Sequence, residues 1–285
     1  MRILAFSDIH GNAPALKLLK DRVEGESYDC MLVAGDLTNA DLISTQEMVQ
    51  QTRAIFSLME RFEIPFYYVW GIPNRESSLA SIIQAIEKPE EYEVSEGNIV
   101  WHGGEEEEAF IFHSKFHKQN RIDFGTYVPK KDWQAVKEME RFLALLTFGN
   151  RVKEKEVVKI GEYWLTSSPE KVTNKTVFVN HHHRKIIPEA LIQLDGHLHY
   201  GQHVLNYLNL GFLYRDDAHN AQSMIGCYWR LKLENSRVTV DFVNLGGKLK
   251  EFVCPTHPEQ GKFYVPSYWK KCPVCFSSEE ALIKK

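Results

Sequence analysis

Several hydrophobic runs along this chain end in residues that bind divalent metals, and that repeated ending constrains the fold more than any other feature. The first, Ile3 to Phe6, is followed at once by Ser7-Asp8-Ile9-His10-Gly11-Asn12. A second, Tyr28 to Val33, ends in Ala34-Gly35-Asp36, and a third, Pro65 to Trp70, in Gly71-Ile72-Pro73-Asn74-Arg75-Glu76. Apolar runs of this kind read as buried strands, and the helical patterns between them predict parallel pairing through right-handed crossovers. Asn12 and Pro14 suit a helix start, followed by Leu16, Leu19 and Val23. Met48, Ile55, Leu58 and Phe62 mark a second helix between Asp41 and Phe62. Open α/β sheets place ligands at the carboxyl ends of their strands, where Asp8, His10, Asp36 and Asn74 fall.

The same ending returns later. Lys175 to Asn180 runs into His181-His182-His183, and Asp195-Gly196-His197-Leu198-His199 follows. Val204 to Leu210, Ser223 to Leu233 and Val238 to Leu245 alternate as in an antiparallel sheet. Between the two halves the pattern is less regular. Ser77 to Glu87 reads as helix, and Asn98 to His102 with Ala109 to Phe112 as a hairpin tipped by Glu105 to Glu108. A further helix is expected from about Lys131 to Phe148. Residues 113–160 carry no catalytic motif and read as a surface insertion, or as a lid bringing His113, His117, Lys118 and Arg121 to the site.

With 285 residues, 44% hydrophobic and 25% charged, the chain can hold a large core domain plus an appendage. Its net charge of -4 argues against the strongly basic face of a dedicated nucleic-acid binder. No run of roughly 18 apolar residues predicts a membrane span. The first apolar run reaches Asp8 too soon for a secretory signal, so a cytoplasmic protein is expected. Cys30 and Cys227 lie inside predicted strands, which agrees with a reducing compartment.

Carboxylates, an amide and imidazoles together suit zinc, manganese, iron or a similar divalent ion, and they do not suit an all-oxygen calcium cage. They are too many for one tetrahedral ion. Two ions sharing a carboxylate, roughly 3.5 to 4 Å apart, are the natural count. Taken singly, Asp36 reads equally as a core acid, Asn74 as a helix cap and the histidine tract as an exposed loop. The ordered set has no such bland reading.

In that order, Asp8-x-His10, Gly35-Asp36, the Asn74 segment, a histidine after a strand and Gly196-His197-x-His199 resemble the calcineurin-like metallophosphoesterase superfamily over roughly residues 1 to 245. The resemblance implies an α/β fold, a four-layer two-sheet sandwich flanked by helices. It implies that Asp8, His10, Asp36 and His199 hold one ion and that Asp36, Asn74, His197 and a histidine of the triplet hold the other. His181 is chosen because it comes first after the strand. The implied activity is hydrolysis of a phosphodiester or phosphomonoester by a hydroxide bridging the two ions. Arg75 stands where the family has a histidine, with Glu76 kept beside it and Ile72-Pro73 lengthening the loop. Arginine cannot donate a proton near neutral pH but can bind phosphate. Arg75 and His182 are therefore the expected catalytic residues, His182 or His183 supplying the missing proton. A nuclease, or a phosphate-binding scaffold without turnover, are the alternatives.

In the tail, Cys254-Pro255-Thr256-His257 and Cys272-Pro273-Val274-Cys275 form two knuckles separated by fourteen residues. Cys254, His257, Cys272 and Cys275 make a closed tetrahedral zinc set with no open position, hence a structural zinc, against the plainer reading of a disulfide or free thiols. Gly246-Gly247-Lys248 marks a boundary between a catalytic domain of residues 1–249 and a module of residues 250–285, which resembles a zinc ribbon. Phe263, Tyr264, Tyr268 and Trp269 with Lys262, Lys270 and Lys271 offer a surface for nucleic acid, a protein partner or a second protomer.

Overall fold

The computed structural model describes residues 1–39, 43–71, 99–104, 107–112, 126–129, 133–153, 155–183, 185–215 and 222–276, with the backbone alone from 99 to 133. Asn74, Arg75, Glu76, the helix expected at Ser77 to Glu87 and the 113–121 residues proposed for a lid lie outside the described residues.

The first half builds as its pattern predicts. Strand β1 (Arg2–Phe6), helix α1 (Ala13–Arg22), β2 (Cys30–Ala34), α2 (Thr45–Glu60) and β3 (Phe66–Val69) alternate, and the three strands pair in parallel. Asn12 caps α1 by accepting from the Ala15 N–H at 2.8 Å. Helix α2 starts at Thr45 because Ser44 and Glu47 form a reciprocal capping box, the Glu47 N–H donating to Ser44 Oγ and the Ser44 N–H to Glu47 Oε2. The expected hairpin is present as β4 (Ile99–Gly104) and β5 (Glu107–Phe112), joined by β6 (Thr126–Pro129) in a small antiparallel sheet. Helix α3 (Trp133–Ala144) leads to β7 (Gly149–Arg151), which adds in parallel to β3.

The second half supplies β8 (Val157–Ile160), β9 (Tyr163–Thr166), β10 (Thr176–Val179), β11 (Ile192–Asp195), β12 (Gly201–Val204) and β13 (Tyr207–Leu210). Then come β14 (Tyr214–Arg215), β15 (Met224–Ile225), β16 (Cys227–Glu234), β17 (Arg237–Asn244), β18 (Leu249–Val253), β19 (Lys262–Pro266) and the one-turn helix α4 (Pro273–Phe276). Two mixed sheets result, with strand orders β17-β16-β1-β2-β3-β7 and β18-β19-β12-β13-β11-β10-β9-β8.

The antiparallel expectation holds for β12 with β13 and for β16 with β17, but the second half is not antiparallel throughout. Strands β9, β10, β11 and β13 run parallel to one another. Strands β10 and β11 are buried along their whole length, which is the environment of a parallel strand. Val204 to Leu210 is two strands, because the chain turns at Leu205, which has φ +54°. Strands β16 and β17 belong to the first sheet, which they extend beyond β1. Strands β18 and β19 form a hairpin that extends the second sheet by pairing with β12, so the cysteine-bearing tail is continuous with it.

One core lies between the sheets, with Ile3, Leu32, Leu165, Val177, Leu194 and Trp229 among its buried members. Each such side chain contributes about 1.5 to 3 kcal/mol relative to exposure. The Trp229 Nε1–H donates to the Leu210 carbonyl at 2.9 Å, so even its polar atom ties one sheet to the other. A second core, with Phe6, Leu16, Ile55 and Phe66, packs the helices on the outer face of the first sheet. Among the described residues no helix is long and apolar enough to cross a membrane.

Candidate metal centre

The loops after β1, β2, β10 and β11 meet where the two sheets come together, and their backbones are unusual. Asp8, His10, Asp36, His197 and His199 all have φ between +47° and +72°, a region that side chains other than glycine seldom adopt. Each costs of order 1 to 3 kcal/mol and persists where its surroundings over-determine it, as happens at functional sites. Those surroundings are visible here. The N–H groups of Ile9 and His10 both donate to the Asp36 carbonyl, at 2.8 and 3.0 Å, and the Asp8 N–H donates to Gly35 at 3.1 Å. The Tyr214 N–H donates to the Asp8 carbonyl at 3.1 Å. Gly196 donates to the His181 carbonyl at 3.0 Å and accepts on its own carbonyl from Asn209 Nδ2 at 2.7 Å.

Two donor groups result, and Asp36 belongs to both. Asp8, His10, Asp36 and His199 form one, and Asp36, His181 and His197 the other, with the donor atoms of each group within 4.8 Å of one another. His199 Nε2 lies 3.1 Å from Asp8 Oδ1 and 2.9 Å from His10 Nε2. His181 Nε2 lies 3.2 Å from Asp36 Oδ2 while its Nδ1 faces the Ala34 carbonyl at 2.7 Å. That carbonyl accepts only from an Nδ1–H, which leaves Nε2, toward Asp36, as the candidate ligand atom. The Asp8 carboxylate accepts from the His197 N–H at 3.0 and 3.2 Å.

Electrostatics point the same way. Burial would raise the Asp8 carboxyl, yet the hydrogen bond from His199 and the charge of His181 hold it below its ordinary value. Burial would likewise raise Asp36, and His181 drives it strongly down. Burial would lower His181, but Asp36 and Asp8 push it up to about 10. The cluster thus draws in positive charge, and without a cation it takes a proton. Burial and the neighbouring His181 hold His197 below its ordinary value, favouring the neutral ligand form. Oxygen and imidazole donors, a shared carboxylate and imidazole nitrogens facing each other fit two divalent cations.

The sequence profile of the calcineurin-like phosphoesterases matches residues 1–210. The chain belongs to this family. None of the curated proteins matches it by sequence. Solved structures similar to this calcineurin-like phosphoesterase include TT1561 of Thermus thermophilus, at 15% identity over 86% of this chain and 98% of that one, with a TM-score of 0.40. A novel archaeal phosphodiesterase is 11% identical over 85% and 100% of the two chains, with a TM-score of 0.39. Yfce, a phosphoesterase from E. coli, is 11% identical over 86% and 100%, with a TM-score of 0.36.

Of the site residues expected from sequence, the phosphoesterase fold brings together Asp8, His10, Asp36, His181, His197 and His199. His182 stands at the edge of this centre, its ring 4.2 Å from that of His197 and its N–H donating to Asn180 Oδ1 at 3.0 Å. His183 turns away, its ring against Phe178 and its N–H donating to Asp195 Oδ2 at 3.0 Å. Asn74 and Arg75 lie outside the described residues.

Sequence reasoning named Gly35 and Gly196 within the motifs but not the close contacts that require glycine beside the candidate ligands. A Cβ on Gly35 would stand 2.4 Å from His181 Nδ1, and one on Gly196 would stand 2.6 Å from both Asp8 Oδ2 and the Ala34 carbonyl. The glycines beside Asp36 and His197 were therefore the signal to follow. Asp195 is fully buried, and that burial raises its carboxyl well above the ordinary value. Nothing in its sequence context separates it from a surface acid.

Beyond the matched residues lies the second cluster, Cys254, His257, Cys272 and Cys275. Cys254 and Cys272 Sγ lie 3.7 and 3.5 Å from Cys275 Sγ, and His257 Nδ1 lies 3.4 to 3.7 Å from all three sulfurs. A zinc tetrahedron with bonds of about 2.3 Å to sulfur has edges of about 3.8 Å, shorter where nitrogen replaces sulfur. The sulfurs are too far apart for a disulfide, and all five cysteines are free thiols.

Proposed function

We propose that the protein is a binuclear metallophosphoesterase that hydrolyses phosphate esters, with diesters preferred over monoesters. The observation that carries this reading is Asp36 shared between two donor groups whose ligands sit on strained, mutually hydrogen-bonded loops. Asp8, His10, Asp36 and His199 would hold one divalent ion; Asp36, His181 and His197, with Asn74, the other. Manganese, iron, zinc or a similar ion would supply positive charge for the phosphoryl oxygens and make water a nucleophile near neutral pH.

The chain's own residues do the rest. Asp8 and Asp36 carry the negative charge that retains the cations, and the bond from His181 Nδ1 to Ala34 holds that ring in its ligating orientation. Arg75 binds the phosphate, since guanidinium matches its oxygens with paired donors and stays charged at any working pH. His182 donates a proton to the leaving group, which Arg75 cannot do. Diesters are preferred on the reading that Arg75 binds the phosphate in place of a family histidine, so that a strong general acid is not required for every leaving group.

The Cys254, His257, Cys272 and Cys275 set holds a structural zinc, and residues 250–285 form a zinc-bound module built onto the second sheet of the 1–249 catalytic domain. The buried, unbridged Cys30 and Cys227 accord with a cytoplasmic protein. Metal analysis together with turnover of activated mono- and diesters in manganese tests this reading. Stoichiometric metal without hydrolysis of either ester would favour a phosphate-binding scaffold instead.

A further inference from the structure

His199 is held from two sides by the cysteine-bearing tail. On the first side the next residue, Tyr200, packs its ring 6.0 Å from Phe263, in the same small core as Cys254 and Cys272. Strand β12 starts immediately afterwards at Gly201, paired with Tyr264 of β19. On the second side, Arg215 Nη2 donates to the Tyr268 hydroxyl at 3.1 Å. The Arg215 guanidinium carbon lies 5.0 Å from the Phe212 ring, and that ring lies 6.3 Å from His199.

Arg215 itself is unusual. It is only 3% exposed, makes no ion pair with a described residue, and its Nε has no hydrogen-bond partner among them. A buried guanidinium with a tyrosine hydroxyl as its hydrogen-bond acceptor stabilises little on its own account. It makes physical sense as a strut that fixes Phe212 against the tail.

His199 is also a residue that needs fixing. Its φ of +51° is unfavourable for histidine and persists only while neighbouring structure holds it. We propose that Tyr268 and Arg215 are positioning residues that tie the Cys254, His257, Cys272 and Cys275 cluster to His199, so that the zinc site sets the affinity of the active-site cation that His199 binds. This rests on the metallophosphoesterase reading given above. A path of contacts is not in itself coupling, so the test must measure coupling.

Manganese binding to the native full-length protein, Tyr268→Phe, Arg215→Met and the double variant would be followed by electron paramagnetic resonance of free manganese ion. Zinc content and thermal midpoint would be measured on the same samples. Manganese is a poor match for the thiolate cluster, so it reports on the oxygen and imidazole site. Tyr268→Phe removes a single hydroxyl from a residue that is itself 54% exposed, and should keep one zinc and the native midpoint. The expected result is that it weakens one of two manganese sites by about 5-fold or more. Arg215→Met should do the same, with the double variant no weaker than the worse single, as for two links of one strut.

Native manganese affinity in Tyr268→Phe would overturn the inference, as would full additivity of the two variants. If Arg215→Met fails to fold, Tyr268→Phe decides alone. A native protein that binds no manganese would instead sink the metallophosphoesterase reading, an outcome separable from the first.

Discussion

The backbone at Gly35 lies flush against the imidazole of His181, so close that a Cβ there would stand 2.4 Å from Nδ1. Gly35 also has φ +84°, which an alanine would resist. Gly35→Ala should therefore push His181 off the Ala34 carbonyl and away from Asp36. The expected result is about a 10- to 100-fold loss of metal affinity, as for other residues that orient ligands. Stability should fall by about 1 to 3 kcal/mol. Metal titration and denaturant unfolding measure both, and native affinity in the alanine variant would disprove the contact's importance.

Metal uptake should release protons. In the metal-free protein the carboxylates raise His181 to about 10, so it carries a proton at neutral pH. A cation must displace that proton, because only neutral imidazole coordinates. Manganese affinity should thus rise with pH throughout the neutral range and level off near pH 10, where His181 no longer carries the proton. Calorimetry in buffers of differing ionisation enthalpy would count the protons, and uptake with none released would show that His181 is not displaced.

The part assigned to His182 predicts a dependence on leaving group. His182→Ala should slow hydrolysis of an ester with a poor, alkyl leaving group by about 100-fold or more, the usual contribution of a general acid. A nitrophenyl ester needs no protonation and should be affected little. Equal losses on both would mean that His182 acts by supporting His197 instead of by donating a proton.

Removal of the tail metal should be felt in the second sheet. Cys272→Ser breaks the proposed tetrahedral set, and a zinc bound there would supply folding energy to a short segment with little core of its own. The expected outcome is loss of one zinc per chain and faster amide exchange in β18 and β19. Unchanged exchange there would remove the structural role from the cluster.

What could be read from sequence was whatever the chain states locally. The parallel start, the cap of α1 and the strand-end candidate ligands Asp8, His10, Asp36, His197 and His199 all follow from hydrophobic period and residue type within a few positions. His181 was legible only as the first histidine after β10, and the structure distinguishes it from His183 by what their rings touch. The parallel pairing of β9, β10 and β11 was not legible, since strands of four residues do not say which neighbour they will meet. Nor was Arg215, whose link to Tyr268 spans fifty-three positions. Contacts of that range are set by how the sheets close, a property no local pattern carries.

The central claim is that Asp36 joins two cations into one hydrolytic centre. Metal content and hydrolysis of an activated phosphodiester in manganese, compared between the native protein and Asp36→Ala, test it most directly. The account predicts about three metals per chain and diester turnover in the native protein. It predicts retention of the cysteine-bound zinc alone, with turnover lost, in the variant. Native turnover in Asp36→Ala, or a native protein holding its metals without hydrolysing any activated ester, would contradict it.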